Sequence, residues 1–149
     1  MTDRVPRWVP AVSLTLALVG LGASTYLTIT HYTTPKALVC ATSGTVNCER
    51  VTTSPQSMFL GIPVAVLGLA WFAAMAVLSL PAAWRTGSRL VHLARTIGAT
   101  GGIGFALWLV YAELVLIGAI CVWCTVAHVM ALGLFVVTVI TAPDLLARP

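Results

Sequence analysis

Charged residues are scarce in this sequence. Only 8% of its 149 residues are Asp, Glu, Lys or Arg, whereas 59% are hydrophobic. An ordinary soluble domain carries about 25% charged residues, so the composition excludes that class and indicates an integral membrane protein. Acidic residues are fewer than basic ones: there are four Asp and Glu against eight Lys and Arg, which gives a formal net charge of +4.

Clusters of Lys and Arg interleaved with aromatic residues are also lacking, and we therefore expect no nucleic-acid partner. The length leaves no room for a folded soluble domain beside a set of membrane helices. We expect one membrane domain over residues 1–149, with the lipid bilayer as its surroundings.

Long apolar stretches are abundant and predict four helices, at about 8–30, 58–80, 96–117 and 120–141. The first exceeds the roughly 7–15 apolar residues of a signal peptide and is long enough to cross a bilayer. The last two share one run of about 45 residues, which is too long for one span and must reverse, most simply at Gly118. The predicted fold is an all-α integral membrane protein, a four-transmembrane-helix bundle.

The arginines predict its orientation. Six of the seven lie before the first helix, in the 81–95 connection and near the end of the chain, at Arg4, Arg7, Arg85, Arg89, Arg95 and Arg148. The loop 31–57 has only Lys36 and Arg50, with Glu49 beside the latter. The positive-inside rule places both termini and this connection in the cytoplasm. The long polar loop 31–57 between helices 1 and 2 is then extracytoplasmic, and so is the start of the fourth helix.

All four cysteines fall on that outer side, with Cys40 and Cys48 in the loop and Cys121 and Cys124 at the start of the last helix. An oxidising compartment permits thiol–disulfide chemistry. Within the C-x-x-C pair, positions i and i+3 share a helix face and are close enough to bridge. The helix N-terminus is expected to lower the pKa of the more N-terminal thiol.

Spacing alone leaves other interpretations of these cysteines open. They could be small apolar core residues, or each pair could be a permanent structural disulfide. A zinc site with four thiolate ligands is a third interpretation, but C-x7-C is an untypical spacing for it, and we expect no metal.

Two ionisable residues lie in the apolar stretches near the C-x-x-C pair. His128, one turn beyond Cys124 on the same face, is a candidate site residue, because an imidazole at membrane depth needs a partner or a ligand. A hydrogen bond to a neighbouring helix would serve equally well. Glu113 is expected near the membrane interface, solvated by lipid headgroups.

The order of these motifs resembles the vitamin K epoxide reductase family, in its bacterial disulfide-forming branch. The resemblance covers nearly the whole chain and rests on Cys40-x7-Cys48-Glu-Arg-Val, Ser54, Gly61-Ile-Pro63 and Cys121-x-x-Cys124. It implies a multi-pass protein of the bacterial cytoplasmic (inner) membrane with its cysteines facing outside. The implied activity is that of a quinone-dependent thiol-disulfide oxidoreductase.

The resemblance also implies roles for the four cysteines as catalytic residues. Cys40 would engage a partner thiol protein, and Cys48 would exchange with Cys121. Cys124 would then meet the electron acceptor, a membrane quinone such as menaquinone or ubiquinone.

Three further residues are implied to bind the quinone. Ser54 matches a family serine proposed to hydrogen-bond near it, and Phe59 lies in the region that lines the pocket. His128 stands where vertebrate relatives have a tyrosine, a departure from the family pattern.

Many bacterial relatives carry a fused thioredoxin-like domain, whereas this chain stops at residue 149, so the implied partner is a separate DsbA-like or thioredoxin-like extracytoplasmic protein. A DsbB-type quinone reductase is an alternative, although its C-x-x-C pair is expected in the first outer loop, the reverse of the order here. A non-enzymatic tetraspan or metal-binding membrane protein with structural cysteines is another.

Overall fold

The computed structural model describes residues 5–33, 38–40 and 43–146, and these are mostly helical. Arg4 and Arg148, which entered the orientation argument, lie outside the described residues. The helices are α1 (Trp8–Tyr32), α2 (Cys48–Thr52), α3 (Val64–Leu78), α4 (Pro81–Arg85), α5 (Arg89–Tyr111) and α6 (Val122–Leu146). A 3-10 turn (Pro55–Ser57), strands β1 (Met58–Phe59) and β2 (Ile62–Pro63), and a π-helical segment (Ala112–Ile117) complete the described structure.

Three helical segments are long and apolar enough to cross a membrane. They are Trp8–Tyr32, Arg89–Ile117 and Val122–Pro143. The fourth apolar helix, α3, has 15 residues. At 1.5 Å per residue it is about 22 Å long, less than the roughly 30 Å hydrocarbon core of a bilayer.

The predicted helix 58–80 begins later than expected, at Val64. β1 and β2 pair antiparallel, with Phe59 opposite Ile62. Leu60 (φ +51°) and Gly61 (φ +81°) turn the chain in left-handed conformations that a helix cannot contain. Apolar composition could not reveal this hairpin, because the same residues suit a strand and a membrane helix.

The predicted helix 96–117 begins earlier than expected, at Arg89, so much of the 81–95 connection is helical. The cause is the burial of Arg95, which lies in the first two turns of α5 and is only 1% exposed. Its guanidinium donates to the carbonyl oxygens of Leu78 (Nε, 3.0 Å) and Ala83 (Nη2, 3.2 Å) and lies 3.6 Å from the ring centroid of Trp84. These contacts join the end of α3 to α4 and α5.

Among the four long helices α1, α3, α5 and α6, α1 contacts both α3 and α6 along its length, while α5 packs mainly on α6. Their shared core consists of small residues facing large ones: Ala17, Phe72, Met75, Ala99, Ala106, Ala131 and Leu134. Gly102 on α5 leaves space that the indole ring of Trp71 occupies.

The reversal between α5 and α6 occurs at Gly118, as predicted. Gly118 has φ +64° and ψ +31°, the left-handed conformation that commonly ends a helix, and its N–H donates to the Glu113 carbonyl. Immediately afterwards, Ile120 pairs with the loop: its N–H donates to Thr45 O (2.9 Å) and its carbonyl accepts from Asn47 N–H (3.0 Å). The loop is thereby held against the start of α6.

Candidate functional site

The loop cysteines form a disulfide between Cys40 and Cys48, with the two Cα atoms 6.1 Å apart. Cys48 opens α2 and is fully buried. The preceding Asn47 caps this short helix, since its Oδ1 accepts the N–H of Arg50 at 2.9 Å. Cys40 is half-buried, so it is the more accessible sulfur of the pair.

The C-x-x-C cysteines are both free thiols at the start of α6. The backbone N–H of Cys124 donates to the sulfur of Cys121 at 3.3 Å. Hydrogen bonding from the Cys124 side chain, aided by this N–H, lowers the pKa of Cys121 despite its burial. This is the direction expected for the more N-terminal thiol, but the leading cause is the Cys124 side chain rather than the helix N-terminus.

The two pairs lie at the same end of the molecule. Cys48 and Cys121 belong to one buried cluster, together with Leu27, Val51, Ile117 and Ala119. Cys40 and Cys124 pack against that cluster. The structure thus brings together all four cysteines that the sequence singled out.

An aromatic pair holds the chain beside Cys40. Trp123, inside the C-x-x-C motif, donates its Nε1–H to the Val39 carbonyl at 3.0 Å. The Tyr26 hydroxyl accepts the Val39 N–H at 3.0 Å, and the Tyr26 and Trp123 rings lie 4.7 Å apart between centroids. Sequence reasoning missed both residues; the position of Trp123 between the two cysteines was the available signal.

A mostly apolar cavity of about 370 Å³ opens beside Cys124, between the four long helices. All three predicted quinone-binding residues, Ser54, Phe59 and His128, line it. The Ser54 hydroxyl donates to the Val51 carbonyl at 2.7 Å, and the Phe59 ring meets Phe105 edge to face at 5.5 Å.

Among the four cysteines, all of which the structure describes, only Cys124 lines this cavity. The C-x-x-C pair therefore has one sulfur in the cysteine cluster and one at the cavity. His128 lies one turn deeper on the cavity wall, and no residue within 5–33, 38–40 and 43–146 forms a hydrogen bond with its ring. The hydrogen bond to a neighbouring helix that could have explained His128 is not formed there.

Glu113 is placed differently from the prediction. It is 6% exposed rather than spread into the headgroup region, because the π-helical segment turns it inward. Its Oε2 accepts the backbone N–H of Cys121 at 3.3 Å, and the side chain lines the cavity beside Cys124. The sequence signal for a role of Glu113 at the site was its position just ahead of the helix reversal, on the same predicted side of the membrane as the cysteines.

The described part of the chain contains no group of three or more His, Cys, Asp or Glu residues arranged to hold a metal ion. The site combines four sulfur atoms, the carboxyl group of Glu113, the imidazole of His128 and an apolar cavity. A sequence model described as the Vitamin K epoxide reductase family matches residues 11–139.

Proposed function

This chain belongs to the vitamin K epoxide reductase family, and on that premise we propose that it is a quinone-dependent thiol–disulfide oxidoreductase of the disulfide-forming branch. It would reoxidise a thioredoxin-like partner outside the membrane and pass the electrons to a membrane quinone. The four cysteines would carry the electrons, two at a time.

One observation carries the proposal. The C-x-x-C pair lies between the loop disulfide and the cavity, since Cys121 shares a buried cluster with Cys48 while Cys124 lines the cavity wall. A dithiol in this position can be reduced from one side and oxidised from the other. Cysteines with only a structural role have no need for a cavity beside the second sulfur.

The electron path follows from this arrangement. A reduced partner would attack the Cys40–Cys48 disulfide at Cys40, the more accessible sulfur. The freed Cys48 thiolate would then attack Cys121 of an oxidised C-x-x-C pair and release Cys124 as a thiolate. Once the partner's second thiol has released Cys40, Cys40 would attack Cys48 of the Cys48–Cys121 bond. This re-forms the loop disulfide and leaves Cys121 and Cys124 as the dithiol that would reduce the quinone. The lowered pKa of Cys121 supports its release from Cys48 in the resolving step, because the better leaving thiolate is the one with the lower pKa.

The cavity suits a quinone ring in size and character. Ligand cavities usually span about 300–1,000 Å³ and are apolar with a few polar groups, and this one is about 370 Å³. Ser54 and His128 would supply hydrogen bonds to the quinone oxygens, and Phe59 would pack against the ring. The quinone, menaquinone or ubiquinone, would enter from the bilayer.

The proposed setting is the bacterial cytoplasmic (inner) membrane. All four long helices would cross it as a bundle, with the hairpin 58–63 extending the short α3 toward the outer surface. Both termini would be cytoplasmic, and the loop 31–57 with all four cysteines would face outside. The partner would be a separate DsbA-like or thioredoxin-like protein.

The decisive experiment is anaerobic quinone reduction by the purified protein together with a reduced thioredoxin-like partner. Wild-type protein should reduce the quinone, and Cys124→Ala should abolish the reaction. Val122→Ala is the matched control, because Val122 lies inside the same motif but is exposed and does not line the cavity. Quinone reduction by Cys124→Ala at the wild-type rate, or two disulfides that never change with quinone redox state, would contradict the proposal.

A further inference from the structure

We propose that Glu113 carries protons between the C-x-x-C pair and the quinone, an inference that rests on the proposed quinone reduction. The thiols supply two electrons, but a quinone oxygen also needs a proton when it becomes a hydroxyl. Glu113 is the acidic side chain that touches Cys121 and also lines the quinone cavity.

The backbone conformation directs the Glu113 side chain toward the interior. Glu113 lies in the π-helical segment, whose extra residue per turn leaves Leu114, Val115 and Leu116 outward and Glu113 inward. Its own carbonyl accepts the N–H groups of Gly118 and Ala119. Such π-helical turns occur frequently at functional sites, where they re-aim one side chain.

The carboxyl group keeps hydrogen-bonding capacity to spare. Within the described residues, its one hydrogen bond is the 3.3 Å contact with the backbone N–H of Cys121. No described Lys or Arg forms an ion pair with it. A buried carboxylate without a cation is costly, so this group gains by taking up a proton when one is offered.

The surrounding titratable groups are few. α6 and the residue before it contribute Cys121, Cys124 and His128, and α1 contributes His31 at the cavity wall. On α2, Cys48 is in the disulfide, whereas Glu49 and Arg50 are exposed. The cations of α5 lie at its opposite end.

Glu113 and Cys121 compete for the same proton. The hydrogen bond from Cys124 lowers the pKa of Cys121, and the negative charge of Glu113 opposes this by raising it. Two negative charges in one buried site are unfavourable, so the thiolate forms most readily when Glu113 becomes protonated. Each ionisation of Cys121 thus leaves a proton on the carboxyl group at the cavity wall.

The proposed step balances in atoms and electrons. Cys121 gives its proton to the Glu113 carboxylate, and its thiolate attacks the sulfur of Cys124 as the electron pair passes from Cys124 to the quinone. The Cys121–Cys124 bond forms, and both S–H bonds are lost. The quinone takes two electrons, one proton from Cys124 and one from Glu113, which returns to a carboxylate.

A purely structural role is the competing explanation. The Glu113 carboxylate accepts a hydrogen bond at the N-terminus of α6, where a negative charge is favourable. Glu113→Gln separates the two roles, because the amide oxygen can still accept the Cys121 N–H at the same side-chain length but cannot carry a proton. Glu113→Asp does the reverse: it keeps a titratable carboxyl group and shortens the reach to Cys121.

The test is single-turnover oxidation of the dithiothreitol-reduced full-length protein by a soluble quinone, followed anaerobically by quinone absorbance at several pH values. We expect Glu113→Gln to slow the reaction by about 100-fold or more, the range of general acid–base catalysis, without changing the quinone concentration for half-maximal rate. Glu113→Asp should be faster than Glu113→Gln. Glu49→Gln, an exposed acid on α2, is the matched control and should keep the wild-type rate.

The reverse order overturns the inference: Glu113→Gln equal to wild type, or faster than Glu113→Asp, shows that only the hydrogen bond matters. A measurement on wild-type protein covers the case in which a variant does not fold. Because Glu113 begins and ends the reaction as a carboxylate, a carboxylic-acid band should appear and decay in time-resolved infrared spectra during quinone reduction, and spectra without this band overturn the proposal as well.

The outcomes also separate this inference from the function on which it rests. If wild-type protein reduces no quinone, the proposed function fails. If wild type and Glu113→Gln reduce it equally well with the same pH profile, the proton-carrying role alone fails.

Discussion

Individual side chains fix the backbone around Cys121 and Cys40 through hydrogen bonds. Cys121 is fully buried, yet its sulfur accepts the Cys124 N–H and its own N–H is held by Glu113. Around Cys40 the holding groups are aromatic, with Tyr26 and Trp123 binding the two backbone groups of Val39. In both places the contacts fix backbone groups next to a cysteine, and the sulfur atom of that cysteine stays available for exchange.

Trp123→Phe should loosen the chain beside Cys40, because the phenyl ring keeps the contact with Tyr26 but cannot donate to Val39 O. The loss of one hydrogen bond is expected to lower the free energy of unfolding by about 1 kcal/mol and to speed reduction of the Cys40–Cys48 disulfide by dithiothreitol. Thermal unfolding in detergent and a thiol-trapping time course measure the two effects.

Trp108→Phe is the control for this change, since Trp108 is half exposed and contacts Tyr111 through its ring alone. It should leave both measurements unchanged. Equal effects of the two substitutions would show that the Val39 contact does not hold Cys40.

Helices and turns set the distances between these side chains. The reversal at Gly118 places Glu113 opposite Cys121, and Arg95 ties the cytoplasm-facing ends proposed for α3 and α5 through α4. The two ends of the helical segment Arg89–Ile117 therefore have opposite chemistry. One end has a buried cation bound to carbonyl oxygens, and the other has a buried acid bound to an N–H.

Gly118→Ala should destabilise the reversal by about 1–2 kcal/mol. There is space for the added methyl group, but φ +64° is a conformation that alanine adopts only with strain. Gly104→Ala, in the middle of α5 with open space around it, is the control and should be neutral or stabilising by up to about 1 kcal/mol. Unfolding in a denaturing detergent measures both; equal stability of the two variants would contradict the role of the turn.

Arg95→Lys should cost about 2–4 kcal/mol, although the charge is retained. The ammonium group cannot reproduce the guanidinium contacts with Leu78, Ala83 and Trp84, and a buried charge with unmet contacts is costly. Arg89→Lys, at an exposed position of the same helix, should change the unfolding free energy by less than about 0.5 kcal/mol. Comparable losses at both positions would show that the buried contacts contribute nothing.

At the scale of the whole molecule, the four long helices form a cavity whose wall meets the cysteine cluster at one end. The proposed electron transfer depends on which side of the membrane that end faces. The distribution of arginines argues for the outside.

This orientation predicts which introduced cysteines react in intact cells. Thr53→Cys, on the exposed surface of the loop, should react with a membrane-impermeant maleimide, whereas Ser88→Cys, in the connection between α4 and α5, should react only after permeabilisation. The unsubstituted protein, whose free thiols are the buried Cys121 and the partly buried Cys124, gives the background labelling. Labelling in the opposite order would reverse the proposed topology.

The sequence by itself determined the membrane class, the apolar helices and the reversal at Gly118, and it singled out the four cysteines as candidate site residues. These properties follow from local composition and spacing: an apolar run excludes water wherever it lies, and a left-handed turn favours glycine in any fold. The grouping of both cysteine pairs at one end also followed, from the alternation of helix directions.

Only the tertiary structure decided the environment of the polar residues. Glu113 and Arg95 were expected near the two membrane surfaces, and both are buried because other elements of the fold supply partners for them. The hairpin 58–63 and the cavity beside Cys124 likewise depend on several elements meeting. Burial of a charge is a property of its neighbours in space, and those neighbours lie on elements whose packing the sequence pattern does not show.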